Sequence, residues 1–268
     1  MKAKKSLGQH FLHNKNILEK IRDIADPKQD DIILEIGPGK GSLTDQLIPL
    51  AGKVIAVEKD DRLYEELKEK YQYELKRGLI DLIHGDILDF DPNILKFYKD
   101  LEYKIVANIP YNITGAILRK FLSADYQPES MTLLVQKEVA ERIIARNGKE
   151  SILSISVKAY GKPRYRGAVK AGSFAPAPKV DSAIISIEGI SKDFFQSANR
   201  RITEKAFFEL VNCGFHSKRK KLISNLSAIY PKAALADTFS IIGLSENTRA
   251  EDVDINTWKK ISQILDRC

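Results

Sequence analysis

The stretch from Asp31 to Gly41, Asp-Ile-Ile-Leu-Glu-Ile-Gly-Pro-Gly-Lys-Gly, constrains the fold more than any other part of this chain. Ile32, Ile33, Leu34 and Ile36 form a short apolar run broken only by Glu35. Such a run reads as a strand buried on both faces. It leads directly into Gly37, Gly39 and Gly41, where the backbone can turn tightly and a ligand can approach the main chain. Leu43, Leu47 and Leu50 then recur at helical spacing. A buried strand, a glycine turn and a helix make the opening of a βαβ unit, whose next strand runs parallel to the first.

The rest of the first half repeats that alternation. Ahead of it, residues 14–25 read as an amphipathic helix capped by Asn14, with Ile17, Leu18, Ile21 and Ile24 on one face. Strands are predicted over Lys53–Glu58, Leu79–His84, Tyr103–Ala107 and Met131–Gln136. Helices are predicted over Asp60–Arg77, Ile113–Leu122, Glu138–Arg146 and Ser151–Ala159, the first with Leu63, Leu67, Tyr71 and Leu75 in register. Right-handed crossovers make the economical arrangement a doubly wound α/β sheet. Residues 163–171 and 180–188 read as a hairpin closing the sheet around a Pro-rich loop. Beyond Gly189 the strand pattern stops. Ala206, Phe207, Leu210 and Val211 mark one helical face, Leu222, Ile223, Leu226 and Ile229 a second, and Trp258, Ile261 and Leu265 a third. Two domains are expected: an α/β domain over 1–189 and a small helical domain over 190–268.

The net charge of +7 is unevenly placed. Residues 1–18 hold Lys2, Lys4, Lys5 and Lys15 and no acid. Residues 158–179 hold Lys158, Lys162, Arg164, Arg166, Lys170 and Lys179, again with no acid, and residues 218–221 read Lys-Arg-Lys-Lys. The remainder of the chain is therefore acidic overall. That pattern suits a polyanion, and nucleic acid fits better than a membrane, because no basic run has a sustained apolar face beside it. No window approaches the roughly 18 consecutive apolar residues of a membrane span. The basic start lacks the apolar core of an export signal, so a cytoplasmic protein is expected. Cys213 and Cys268 lie far apart, which fits a reducing compartment with neither a disulfide scaffold nor a structural zinc site.

Three features line up on successive strand ends. The glycine turn lacks both the GxGxxG spacing of dinucleotide sites and the GKS or GKT of a phosphate loop. Glu58 ends the second strand, where a carboxylate can accept hydrogen bonds from two ribose hydroxyls. Asp86 follows the third strand, where a carboxylate can accept from an adenine amine. A nucleoside site with no phosphate grip is what S-adenosylmethionine requires; an NAD site is the competing reading, opposed by the glycine spacing and the lack of a second mononucleotide half. The fourth strand runs into Asn108-Ile-Pro-Tyr111. Methylating an adenine amine demands two acceptors aimed at its N–H bonds, so that the nitrogen lone pair leaves the ring. The Asn108 side-chain oxygen and the Ile109 carbonyl can be those acceptors. Pro110 stiffens the loop, and Tyr111 can stack on the base.

With these residues in place, the chain resembles the ribosomal RNA adenine dimethyltransferases, the KsgA family, nearly end to end. The resemblance rests on Gly8-Gln-His-Phe-Leu12, Glu35-Ile-Gly-Pro-Gly39, Val57-Glu58, Gly85-Asp86 and Asn108-Ile-Pro-Tyr111. Gln136-Lys-Glu138 with Arg142, Phe174-Ala-Pro-Ala-Pro-Lys-Val-Asp-Ser182, Lys218–Leu226 and Arg249-Ala-Glu251 add to it. Many members carry Asn where this chain has His10. The resemblance implies a class I, Rossmann-like methyltransferase fold that uses S-adenosylmethionine. It implies dimethylation of two adjacent adenosines in a hairpin loop near the 3′ end of small-subunit ribosomal RNA. The cofactor would contact His10, Leu12, Gly37, Gly39, Glu58, Asp86 and Asn108. Tyr111 and Phe174 would sandwich the target adenine, although an aromatic beside prolines reads equally well as loop packing. The helical domain would dock a pre-ribosomal particle, with Lys218, Arg219, Lys220 and Lys221 against phosphates, and nothing demands more than a monomer. Two other readings stay open: an Erm-type methylase of large-subunit RNA, and a ribosome-assembly factor in which catalysis is secondary.

Overall fold

A computed structural model describes residues 9–98, 102–196 and 202–265. Lys2, Lys4, Lys5, Gly8 and Cys268 lie outside the described residues. The elements run β1 (Phe11–Leu12), α1 (Lys15–Ala25), β2 (Ile32–Ile36), α2 (Thr44–Leu47), β3 (Lys53–Glu58), α3 (Asp61–Lys70), α4 (Gln72–Lys76) and β4 (Ile80–His84). Then come β5 (Tyr103–Asn108), α5 (Thr114–Leu122), β6 (Ser130–Gln136), α6 (Lys137–Ile144), α7 (Ile152–Lys158), β7 (Lys162–Val169), β8 (Phe174–Ala175) and β9 (Ser182–Glu188). Helices α8 (Glu204–Gly214), α9 (Leu222–Leu226), α10 (Lys232–Ile242) and α11 (Ile255–Leu265) end the chain.

Seven strands form one sheet in the order β4-β3-β2-β5-β6-β9-β7. The first five are parallel, and β9 pairs antiparallel with both β6 and β7. The hairpin therefore closes one edge of the sheet, as its Pro-rich connection implied. All five residues of β2 are buried, because strands flank it on both sides and helices cover the faces. Ile33, Val54, Ala56, Val106, Leu134 and Ile184 from the strands share one core cluster with Leu18, Ile21 and Ala25 of α1. Strand order reverses at β2, so a crevice opens at the carboxyl ends of β2 and β5, where α/β sheets bind ligands. This is the class I methyltransferase arrangement.

Three local expectations change. The helix expected over 60–77 breaks at Tyr71, whose backbone (φ −103°, ψ 23°) leaves the helical region. Its hydroxyl is drawn inward, donating toward the Gly41 carbonyl (2.8 Å) and Asp45 Oδ1 (2.7 Å). Leu43 and Leu47 are buried as expected, but α2 stops at Leu47 and Leu50 is exposed. Phe11↔Ala175 and Leu12↔Phe174 pair as a separate two-stranded sheet, which no local periodicity announces.

The chain divides into two compact units, residues 1–140 with 162–190, and residues 141–161 with 191–268. The stretch 141–161, expected within the α/β domain, thus groups with the helices. Within the second unit α7 packs on α8, and the Tyr160 hydroxyl donates to Glu204 (2.8 Å). Trp258 is fully buried there, stacked on Phe215. Helix α10 went unread because its apolar residues do not mark one face: Leu235 and Phe239 are buried, whereas Ile241 is exposed. Ile229 is exposed as well and lies past the end of α9.

Candidate active site

A cavity of about 220 Å³ lies at the carboxyl ends of the parallel strands. His10, Leu12, Gly37, Gly39, Glu58, Asp86, Asn108, Ile109, Pro110 and Tyr111 all line it. Segments 98 residues apart in sequence meet there, because β2, β3, β4 and β5 deliver their ends to one side of the sheet.

Glu58 ends β3 and is buried. Its Oε2 accepts from the Gly39 amide (3.0 Å) and its Oε1 from the Asp60 amide (2.8 Å). Burial pushes its pKa up, and the backbone donors of Asp60, Gly39 and Lys59 pull against that. The carboxylate is thereby locked to the glycine turn, and each oxygen keeps lone-pair capacity for a further donor. Asp86 is held in the ionised form, its pKa lowered by Lys59 and then by the Leu88 amide. Lys59 Nζ lies 2.5 Å from Oδ2, and the Leu88 amide donates to Oδ1 at 2.9 Å.

Asn108, the last residue of β5, donates from Nδ2 to the His10 carbonyl at 3.0 Å. A carbonyl can be met only by the NH₂ side of the amide, so Oδ1 is the end left to accept. The Ile109 amide donates to the Leu134 carbonyl (3.2 Å), and among the described residues nothing donates to the Ile109 carbonyl. Both residues line the cavity, so the loop offers it two acceptors to which nothing donates among the described residues. Tyr111 shares a hydrogen bond with the hydroxyl of the buried Ser182 (2.7 Å) and lies nearly parallel to the His10 ring, 5.8 Å away. The His10 ring bonds through Nδ1 to the Pro176 carbonyl at 2.8 Å.

Phe174 does not fit its expected place. It is 3% exposed, packs in the core cluster with Leu12 and Leu18, and does not line the cavity. Its pairing with Leu12 turns the ring inward, so loop packing is the role the structure gives it. Lys218, Arg219, Lys220 and Lys221 are exposed, but they form a turn between α8 and α9 rather than a helix. The basic run 158–179 is partly neutralised in three dimensions. Lys158 pairs with Glu150, Arg164 and Arg166 share Glu188, and Lys170 pairs with Asp181.

Several residues enter the site that the sequence did not single out. Glu35 lines the cavity fully buried, accepting from the Thr44 hydroxyl at 2.6 Å. Gln9 Nε2 donates to Asp60 Oδ2 (3.0 Å), tying the N-terminal segment to the start of α3. Ser182 is a polar residue opening a strand whose next three residues are apolar, which was its only signal in the sequence.

Comparison with known proteins agrees with this geometry. The chain is 42% identical over 264 residues to "Ribosomal RNA small subunit methyltransferase A" of Dehalococcoides mccartyi, covering 97% of this chain and 88% of that one. It is 37% identical to the protein of the same name from Fusobacterium nucleatum, covering 99% and 98%. Among solved structures, a dimethyladenosine transferase from Plasmodium falciparum superposes with a TM-score of 0.81 at 29% identity, covering 96% of this chain and 98% of that one. The 23S rRNA methyltransferase ErmE superposes with a TM-score of 0.75 at 26% identity, covering 96% and 99%. The family model described as "Ribosomal RNA adenine dimethylase" matches residues 1–267, and with relatives this similar over nearly their whole length, the chain belongs to that family.

Proposed function

We propose that this protein transfers methyl groups from S-adenosylmethionine to the N6 amines of two adjacent adenosines in the 3′-terminal hairpin loop of small-subunit ribosomal RNA. It does so as a cytoplasmic monomer acting on a pre-ribosomal particle. The observation that carries the reading is the orientation of Asn108: its NH₂ is committed to His10, so its oxygen is the end left to accept, in a cavity that Ile109 also lines.

The residues present fit the cofactor. The cavity offers a carboxylate at the end of β3 for a ribose, one after β4 for an adenine amine, and a main chain bare of side chains at Gly37 and Gly39. A Cβ on Gly39 would stand 3.2 Å from the Phe11 ring, so a side chain there would crowd the cradle. S-adenosylmethionine supplies an electrophilic methyl group on a sulfonium, with a neutral thioether as leaving group.

The chain's own contribution is positioning. Glu58 and Asp86 hold the nucleoside end. Asn108 Oδ1 and the Ile109 carbonyl accept the two N–H bonds of the target amine, which draws the nitrogen toward tetrahedral geometry and frees its lone pair. Tyr111, anchored through its hydroxyl to Ser182, stacks on the base. No strong base is required, because the alkylated amine loses its proton readily to water.

Labelled methyl incorporation tests the reading. Undermethylated small subunits should take up label, and naked large-subunit RNA should not. Label in the large-subunit RNA alone would point to an Erm-type activity, which the ErmE superposition keeps as the second reading. Label in neither would leave an assembly factor.

A further inference from the structure

Asn108 Oδ1 and the Ile109 carbonyl recognise an amine, and an amine alone does not identify adenine. Cytosine and guanine also carry exocyclic amines. An accepting ring nitrogen next to the amine is common to all three, N1 in adenine and N3 in cytosine and guanine, but only adenine has a second acceptor, N7, on the other side of its amine. A site that selects adenine therefore needs an N–H donor beside its two acceptors.

Three side-chain amides line the cavity, and two of them already spend a donor inside the protein. Gln9 Nε2 donates to Asp60, and Asn108 Nδ2 donates to the His10 carbonyl. Lys59 is ion-paired with Asp86, and Lys40 Nζ lies over the Phe11 ring at 5.2 Å. His10 gives its Nδ1 hydrogen to the Pro176 carbonyl, which leaves Nε2 of the neutral ring without one. One amide remains. Asn112 lines the cavity in the single 3₁₀ turn Tyr111–Ile113, directly after the stacking tyrosine. It is exposed, and no hydrogen bond engages its side chain among the described residues.

We propose that Asn112 is a specificity-determining residue whose side-chain NH₂ donates to N7 of the target adenine. The inference rests on the adenine-methylating reading above. It completes a three-point code: two acceptors for the amine and one donor for the ring. Losing the donor leaves an acceptor on the base unpaired at the moment it is desolvated, so the effect falls on turnover of RNA and not on cofactor affinity.

The test uses the full chain and small-subunit RNA carrying adenosine, 7-deazaadenosine or 1-deazaadenosine at the target positions. Little loss is expected with 1-deazaadenosine, whereas wild-type kcat/KM should fall about ten-fold with 7-deazaadenosine. Asn112→Ala should lose about as much on unmodified RNA, lose nothing further on that same deaza RNA, and keep its affinity for S-adenosylmethionine by calorimetry. Asn112→Gln should recover part of the rate. Asn112→Asp, which has no N–H to offer when ionised, should not. The proposal is overturned if 7-deazaadenosine does not slow the wild type, or if the 7-deaza penalty persists in Asn112→Ala. It is equally overturned if Asn112→Ala matches the wild type on unmodified RNA. A wild-type chain that methylates no adenosine at all would instead remove the functional reading beneath it.

Discussion

Glu35 is the most perturbed carboxyl in the cavity wall. Burial pushes its pKa up to about 8, with the Thr44 hydrogen bond opposing the shift. The folded chain then holds a proton that the unfolded carboxyl releases above its ordinary value near 4.5. Stability from this group is fully present below that value and is lost as pH rises through about 8. Thermal unfolding of the ligand-free chain between pH 5 and 9 should show a decline that Glu35→Gln flattens, because the amide oxygen can still accept from Thr44. An unchanged decline in the variant would assign it to other groups. Asn108→Ala should reduce methyl transfer at least about 100-fold while the far-ultraviolet dichroism stays the same. Glu58→Ala should weaken S-adenosylmethionine binding, by about 1.5–3 kcal/mol for hydrogen bonds to a charged acceptor, measured by calorimetry. Glu58, Asp86 and Asn108 were legible in the sequence because each sits at or just past the end of an apolar strand. Ser182 and Gln9 were not, because their partners Tyr111 and Asp60 lie 71 and 51 residues away and no periodicity encodes such a pair.

At the level of elements, the glycine turn and the break between α3 and α4 are two sides of one contact. Gly41 has φ +76°, and a Cβ there would stand 2.3 Å from the Tyr71 hydroxyl. The sequence announced the turn but placed Tyr71 in mid-helix, since its apolar register matched Leu63 and Leu67. What decides the break is the Tyr71 hydroxyl, whose single proton is shared between the Gly41 carbonyl and Asp45, a tertiary gain that outweighs the helix's local preference. Gly41→Ala should therefore destabilise by more than the roughly 1 kcal/mol expected from backbone strain alone. In a Tyr71→Phe background the additional cost should shrink, leaving the strain. Denaturant unfolding of the double-mutant cycle reads the coupling, and strict additivity would show that the hydroxyl is not what crowds the site. The β1–β8 pair was equally hidden: two-residue strands carry no alternation to read, yet their pairing fixes both Leu12 and Phe174 in the core.

Over the whole molecule, charge read along the sequence differs from charge read in space. Residues 158–179 contain no acid, yet Glu150, Asp181 and Glu188 pair with four of their six cations from outside the run, Glu188 with two of them. Sequence position separates those acids from their partners, whereas the β7–β9 register sets Arg164 and Arg166 beside Glu188. The turn at Lys218, Arg219, Lys220 and Lys221 is different, being exposed and forming no ion pair among the described residues. Each phosphate neutralised contributes about 0.7–0.9 to the slope of log affinity against log salt concentration. Replacing all four turn residues by Ala should therefore flatten that slope for small-subunit RNA by up to about 3. Arg164→Ala with Arg166→Ala should change it far less, because those guanidiniums already face a carboxylate and would have to release it to meet a phosphate. Filter binding at a series of salt concentrations distinguishes the two. An equal change from both sets would mean that the Glu188 pairs open when RNA binds, and would return the 158–179 run to the RNA-binding surface.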